Sequence, residues 1–168
     1  MARAAAVLTA IADSLRDGSA FPAEDCTTVL RFHREFVLAV HMRKEQELLY
    51  PAVAMQGDEL AAECVGELLR LHEQVAELTH SLVLFWEPAG DVTAAERCAF
   101  ATTADVLVGR LQRMQEIEEE RLFPACNTAV PADDQLDWMA QFARLEATRG
   151  SLEQWRARIE DLAQRWLS

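Results

Sequence analysis

The stretch that decides the fold is EDCTTVLRFHREFVLAVHMRKEQELLY, residues 24–50. It contains neither glycine nor proline, and its apolar residues recur with the period of a helix, so it predicts one long amphipathic α-helix. At about 100° per residue, Leu30 and Leu48 lie on its apolar face. His41 and Glu45 lie on that same face, one turn apart. The helix therefore carries a histidine and a carboxylate toward the protein core.

Helix-breaking residues divide the rest of the chain into similar segments. Clusters that contain Gly, Pro, Asp or Ser occupy residues 17–22, 51–57, 88–90 and 124–131. Thr93 followed by Glu96 marks one helix start, because this pair can form a capping box. The sequence therefore predicts five helices, at about 3–17, 24–50, 59–86, 93–123 and 133–167.

The chain of 168 residues has the length of one domain with one core, so we expect a single domain over residues 1–168. Short loops between long amphipathic helices force antiparallel neighbours, and the first four helices, about 3–123, predict an up-down-up-down four-helix bundle. The expected fold class is all-α. The long fifth helix, about 133–167, carries an apolar stripe that predicts docking on the bundle, with a homodimer contact as the alternative. The stripe consists of Leu152, Trp155, Ile159, Leu162 and Trp166.

Charge and composition narrow the classes of partner. The formal net charge is -12 and no Lys/Arg cluster interrupts it, which argues against nucleic acid and against a membrane surface. The apolar run near the N-terminus is followed by Asp13, Arg16 and Asp17, which favours an amphipathic helix over a signal peptide. We therefore expect a cytoplasmic protein. Buried free thiols are predicted for the four widely spaced cysteines, Cys26, Cys64, Cys98 and Cys126.

Ionisable residues on apolar faces are the strongest functional signal. His72 lies on the centre line of the third helix's apolar stripe, and on the fourth helix Glu118 lies one turn after Met114, which belongs to the stripe of that helix. With His41 and Glu45, they bring two histidines and two carboxylates into one core. Two buried carboxylates are costly without a cation or a shared proton, so the set of four predicts a metal site. The alternative is a hydrogen-bonded polar network that holds no metal.

The other candidate side chains are predicted to lie away from this site. His33 and His80 are each eight residues from a site histidine, which turns them about 80° away, so surface or helix-interface positions are expected. Glu47 and most of the acidic run at residues 116–120 are expected to be solvated.

For the site itself, a mixture of histidine and carboxylate ligands suits iron, manganese or zinc better than calcium or magnesium. Residue types leave the metal and the number of ions open.

The segment HMRKEQELLYP, residues 41–51, resembles the hemerythrin HHE motif, H-x-x-x-E-E-x-x-L-F-P. The second acidic position, Gln46, departs from that motif. The sequence LHE at residues 71–73 resembles the family's third-helix histidine, and EEERLFP at residues 118–124 resembles its second E-E-x-x-L-F-P. The resemblance spans most of the chain, and the last helix is similar to the tail of many bacterial members.

This resemblance implies a non-haem iron site that has lost ligands. Met114 stands where the second motif would begin with histidine, the first helix has no histidine, and Ala76 stands one turn after His72. By analogy with hemerythrins, Glu45 and Glu118 correspond to the carboxylates that bridge two irons. His41 and His72 then remain as one terminal ligand for each metal position.

Three functions follow as expectations. The first is a hemerythrin-like protein that holds one or two iron ions, with zinc or manganese as alternatives, through His41, Glu45, His72 and Glu118. Its small partner would be dioxygen, nitric oxide, peroxide or iron itself. The second is a degenerate, metal-free bundle that acts as a structural or protein-interaction module, in which Met114 is a core filler. The third, an enzyme with oxidative or peroxide chemistry at the same site, has no substrate pocket or nucleophile to support it in the sequence.

Overall fold

The computed structural model describes residues 1–56, 59–87, 91–129, 131–149 and 152–168. These residues form six helical segments joined by short connections, and none of them lies in a strand. The all-helical prediction is therefore confirmed. Within the described part of the chain, no helix combines the length and the apolar character that crossing a membrane would require.

Two of the six segments contain π-helical turns. The first segment is α1, Ala2–Arg16. The second runs from residue 23 to residue 56 through α2, Ala23–Phe32, π1, His33–Met42, π2, Glu45–Leu49, and α3, Tyr50–Gln56. The third is α4, Glu59–Trp86. The fourth runs from residue 94 to residue 129 through α5, Ala94–Ile117, π3, Glu118–Leu122, and α6, Phe123–Ala129. The last two are α7, Ala132–Arg149, and α8, Leu152–Trp166.

Local capping accounts for two of the helix ends. The hydroxyl of Thr93 accepts the N–H of Glu96, and the Glu96 carboxylate accepts the N–H of Thr93 at 2.8 Å, so the predicted capping box is present at the start of α5. At the end of α1, Gly18 has φ +89°, a left-handed conformation that glycine adopts without a steric penalty. The chain can therefore turn immediately after α1.

The predicted helix ends at Tyr50 and Phe123 are wrong, since both segments continue through a proline, to Gln56 and to Ala129. In each case the proline follows a π-helical turn. The N–H of Tyr50 reaches the carbonyl of Glu45, and that of Phe123 reaches the carbonyl of Glu118, five residues back. Such a turn is wider than an α-helical one, which relieves the clash between a proline ring and the preceding turn that normally ends a helix. Sequence rules for α-helices do not anticipate this exception.

The helices share one hydrophobic core. Helix α1 contacts α5 and α8, α4 contacts α5, and α2 contacts both α4 and α8, whereas α7 contacts π1. The predicted fifth helix, about 133–167, corresponds to α7 and α8, and residues 150–151 between them lie outside the described residues, as does the side chain of Leu152. Trp155, Ile159 and Leu162 are buried in the core. Burying each contributes roughly 1.5–3 kcal/mol relative to leaving it exposed.

Polar contacts add to the attachment of α8. Its last turn reaches Asp25 on α2, because Arg165 donates to one carboxylate oxygen at 2.6 Å and the Trp166 indole donates to the other at 2.8 Å. The ring of Trp155 also lies edge-on to that of Phe32, with 5.9 Å between the ring centroids. Helix α8 thus packs along α2, the first part of the segment that carries His41 and Glu45.

Candidate metal centre

The two carboxylates predicted for the site occupy equivalent positions in the fold. Glu45 is the first residue of π2 and Glu118 is the first residue of π3, and each precedes the turn that leads to a proline. A π-helical turn inserts one extra residue and changes which side chains face the core, and such turns often occur at functional sites. Both carboxylates are buried, with 4 % and 3 % of their surface exposed.

His41, Glu45 and Glu118 lie together. One potential ligand atom from each of the three lies within 4.8 Å of the other two. The Nε2 atom of His41 is 3.6 Å from Oε1 of Glu45. Donor atoms around one ion at about 2.1 Å are separated by roughly 3–4 Å, so a small inward movement of the side chains would accommodate one cation.

Two atoms of this cluster lack hydrogen-bond partners. Nε2 of His41 and Oε1 of Glu118 are buried, and neither has a partner among the described residues. Leaving a buried polar atom unpaired costs roughly 1–3 kcal/mol, and more if the group is charged. Both atoms have lone pairs of the kind that bind a transition-metal ion. The residues present therefore fit a cation in chemistry as well as in position.

Protonation in the metal-free protein follows from burial and from the second carboxylate. Burial, with a further contribution from Glu45, raises the pKa of Glu118 to about 8. Burial also lowers the pKa of His41 and outweighs the opposing effect of Glu45. At pH 7 Glu118 is thus mainly protonated and His41 is neutral. A metal ion would have to displace one proton, from Glu118.

His72 is buried beside this cluster, but protein groups occupy both of its ring nitrogens. Its Nδ1 lies 3.1 Å from the amide nitrogen of Gln46, and its Nε2 lies 2.9 Å from the hydroxyl of Tyr50. The amide donates, so Nδ1 accepts and Nε2 carries the hydrogen, which it donates to the Tyr50 oxygen. Tyr50 in turn donates to Oε2 of Glu45 at 3.4 Å. A directed chain of hydrogen bonds thus leads from Gln46 to Glu45.

Three of the four predicted site residues thus bring potential ligand atoms together, whereas the ring of His72 is paired with other protein groups. Nε2 of His72 lies 3.3 Å from Oε2 of Glu45, but in this arrangement its hydrogen, not a lone pair, faces the site. Tyr50 and Gln46 are not among the residues that the sequence predicts for the site. A signal was present for Tyr50, because a tyrosine at the motif's phenylalanine position adds a buried hydroxyl that needs a partner. Gln46 was recognised only as a departure from the motif.

Most other side chains are located as expected. His80 is exposed, as are Glu47, Glu116, Glu119 and Glu120. His33 is buried, with Nδ1 2.8 Å from the carbonyl of Val29, so its helix-interface alternative is confirmed. Met114 is completely buried. All four cysteines are free, and three are buried as predicted, whereas Cys98 is exposed on the first turns of α5.

Comparison with known proteins identifies the family of this chain. The sequence model of the hemerythrin HHE cation-binding domain family matches residues 1–126, which include α1 to α5, the three π-helical turns and all four predicted ligands. The match ends within α6, before α7 and α8. No curated protein and no solved structure matches the chain.

Proposed function

This chain belongs to the hemerythrin HHE cation-binding domain family, and from that premise we propose that it binds iron through His41, Glu45 and Glu118. The observation that carries the proposal is the clustering of these three donors with two buried atoms left unpaired. A cation would neutralise the repulsion between the carboxylates and would give His41 and Glu118 their missing partner.

The donor set supports iron, with manganese and zinc as the competing ions. One imidazole and two carboxylates form a mixed nitrogen and oxygen set, which suits these three metals. Iron is proposed because the protein belongs to a family of non-haem cation-binding domains and retains both motif carboxylates. A single ion is favoured, because the three donors surround one point and the lone pair of His72 faces Gln46.

The role of His72 is then to orient Glu45 through Tyr50. Oε1 of Glu45 faces His41, whereas Oε2 accepts from Tyr50, so the two oxygens serve different neighbours. Hydrogen bonds of this kind fix the orientation of a metal ligand and tune its basicity. We propose that His72, Tyr50 and Gln46 hold Glu45 in place without binding the metal.

Three protein donors would leave coordination positions for a small molecule. When bound, iron would supply an open position for dioxygen, nitric oxide or peroxide, which makes binding or sensing of such a molecule the proposed activity. The chain's own residues contribute charge balance through Glu45 and Glu118, and burial restricts the entry of water. We further propose the up-down-up-down bundle of the family and a cytoplasmic location, which the four free thiols support.

Anaerobic reconstitution with Fe(II), followed by elemental analysis and optical spectroscopy, tests the assignment. We expect one iron per chain in the wild type and loss of most bound iron in His41→Ala and in Glu118→Gln. His80→Ala is the matched control, because it removes an exposed histidine from the same protein. Undiminished iron in His41→Ala would overturn the ligand assignment. Two irons per chain would overturn the single-ion proposal.

A second function, a metal-free structural module, has one observation in its favour. The chain from Gln46 through His72 and Tyr50 to Glu45 is satisfied by protein groups alone, and Met114 fills the core where the family motif has a histidine. Under this alternative the melting temperature does not change when Fe(II) or a chelator is added. A metal bound to the folded state alone would raise the melting temperature by an amount that grows with the logarithm of its concentration relative to its Kd.

A further inference from the structure

A cavity of about 460 Å³ lies between the candidate metal centre and α7. Volumes of this size are typical of small-molecule sites. Two metal-site residues, His41 and Glu45, form part of its wall. Helix α7 supplies the facing wall through Trp138, Met139 and Phe142. Helix α7 begins beyond residue 126, where the family match ends, so this wall is built by the part of the chain that the family model does not cover.

The wall is mainly apolar. Leu49 and Phe123 continue the surface formed by α7, and Cys126 adds a buried thiol. Phe123 and Met139 are exposed by 41 % and 66 %, which leaves apolar surface at the opening of the cavity. An apolar molecule that entered would remove this surface from water, which is the main driving force for binding in such a pocket.

The one lysine of the described wall is already neutralised. The ammonium group of Lys44 forms an ion pair with Glu146 and lies 5.3 Å from the centre of the Phe142 ring. Its side chain is only 13 % exposed. An anionic ligand would therefore find no unpaired cation in the described wall. A cationic ligand would have to compete with the metal for Glu45.

His41 and Glu45 bring polar atoms of the candidate metal centre to the wall of the cavity. A quarter of the His41 side chain is exposed although its Nε2 atom is buried and unpaired, and the residue lines the cavity. A molecule in the cavity would thus have its apolar body against α7 and one end beside the metal position.

We propose that this cavity binds an uncharged, largely apolar small molecule with a single hydroxyl-type head that lies next to the metal centre. This inference adds a class of organic ligand to the proposed metal site. It rests on the proposed function, because the metal centre defines where the hydroxyl group lies. Helix α7 is then a ligand-binding element as well as a packing element.

Three probes of equal chain length test the charge requirement: n-hexanol, hexanoate and hexylammonium. Binding is followed in metal-free protein by NMR of 13C-labelled methionine methyl groups. We expect n-hexanol to shift the Met139 signal and to leave that of Met55, which does not line the cavity, nearly unchanged. Each added methylene should tighten binding by up to about fourfold, so that n-hexanol binds up to about fifteenfold more tightly than n-butanol. Equal or tighter binding of hexanoate, or of hexylammonium to metal-loaded protein, would overturn the proposal.

A blocking variant tests the location. Asn127 lines the cavity and is exposed, so Asn127→Trp should obstruct the opening while leaving the core intact. We expect it to weaken n-hexanol binding by at least about tenfold by removing most of the accessible apolar surface. Thr128→Trp is the matched control, since Thr128 is the exposed neighbour that does not line the cavity. Unchanged n-hexanol affinity in Asn127→Trp would refute the site.

Metal-loaded protein tests the orientation separately. With paramagnetic Fe(II) bound, the protons on carbon 1 of n-hexanol should relax faster than its terminal methyl protons. The reverse order would overturn the placement of the head. If n-hexanol binds metal-free protein as described but no metal binds under any condition, the proposed function fails and the cavity remains an apolar alcohol site. If metal binds and n-hexanol does not, the cavity inference alone fails.

Discussion

Replacing Glu118 by glutamine is expected to stabilise the metal-free protein at alkaline pH while it abolishes metal binding. The reason is that Glu118 is only 3 % exposed and faces a second carboxylate, which with burial raises its pKa from 4.5 to about 8. The folded protein therefore holds a proton on this group that the unfolded chain releases at much lower pH. Ionising Glu118 favours unfolding.

The sign and size of the effect follow from proton linkage. A carboxyl with a raised pKa in the folded state has no effect below pH 4.5, and its cost grows until the pH passes about 8. With these two values the cost is about 1 kcal/mol at pH 5 and about 4 kcal/mol at pH 8, because each pH unit contributes about 1.4 kcal/mol. The wild type should lose about 3 to 4 kcal/mol of stability between these two pH values through Glu118 alone.

Urea unfolding of metal-free protein at pH 5, 6, 7 and 8 measures this loss. The difference between wild type and Glu118→Gln reports on Glu118 together with its coupling to Glu45, because the other titrating groups are shared. Glu120→Gln is the matched control, since it removes an exposed carboxylate two residues away and should keep the wild-type pH dependence. Excess Fe(II) at pH 7 should stabilise the wild type and Glu120→Gln, whereas Glu118→Gln should show no gain.

A parallel pH dependence in the wild type and in Glu118→Gln would refute the reasoning. It would mean that Glu118 ionises in the folded protein as easily as in the unfolded chain, so that burial and Glu45 do not raise its pKa. If Glu118→Gln still bound one iron per chain, the raised pKa of Glu118 would stand, but Glu118 would not be a metal ligand.

Three further predictions concern other parts of the molecule. Tyr50→Phe should cost about 1–3 kcal/mol in urea unfolding, because it removes the partner of Nε2 of His72, but it should keep one iron per chain by elemental analysis. Loss of iron would contradict this expectation and would make the Tyr50 hydroxyl essential to metal binding. Burial lowers the pKa of His33 to about 4, so this residue alone should cost about 2 kcal/mol of stability as the pH drops from 7 to 4.5, and the acid unfolding curves of the wild type and of His33→Gln should diverge by that amount. An unchanged slope would contradict it. Leu107→Ala should lower the free energy of unfolding in denaturant titrations by about 2–5 kcal/mol, whereas Val106→Ala, at the exposed neighbouring position, should lower it by less than about 1 kcal/mol. Similar values for the two variants would argue against the burial of Leu107 in the core.

Sequence patterns correctly predicted the features that depend only on residues close together in the chain. Hydrophobic periodicity placed the buried faces of the long helices, and the Thr93 capping box marked the start of α5. The helix ends at Pro51 and Pro124 were predicted wrongly, because the hydrogen-bond register there is set by π-helical turns whose stability depends on packing around Glu45 and Glu118.

The sequence by itself determined that ionisable side chains would be buried, and on which helices. It did so because a helix places residues three or four positions apart on one face, whatever its neighbours are. Glu45, His72 and Glu118 are buried as this rule requires, and His41 lies beside them with its Nε2 buried.

Only the tertiary structure decided what these side chains do to one another. Helical periodicity gives the direction of a side chain but not the distance to a group on another helix. The assembled fold paired the ring of His72 with Gln46 and Tyr50, and it placed α7 across a cavity beside His41. The pairing of His72 and the position of α7 both depend on contacts between residues distant in sequence, which no local pattern encodes.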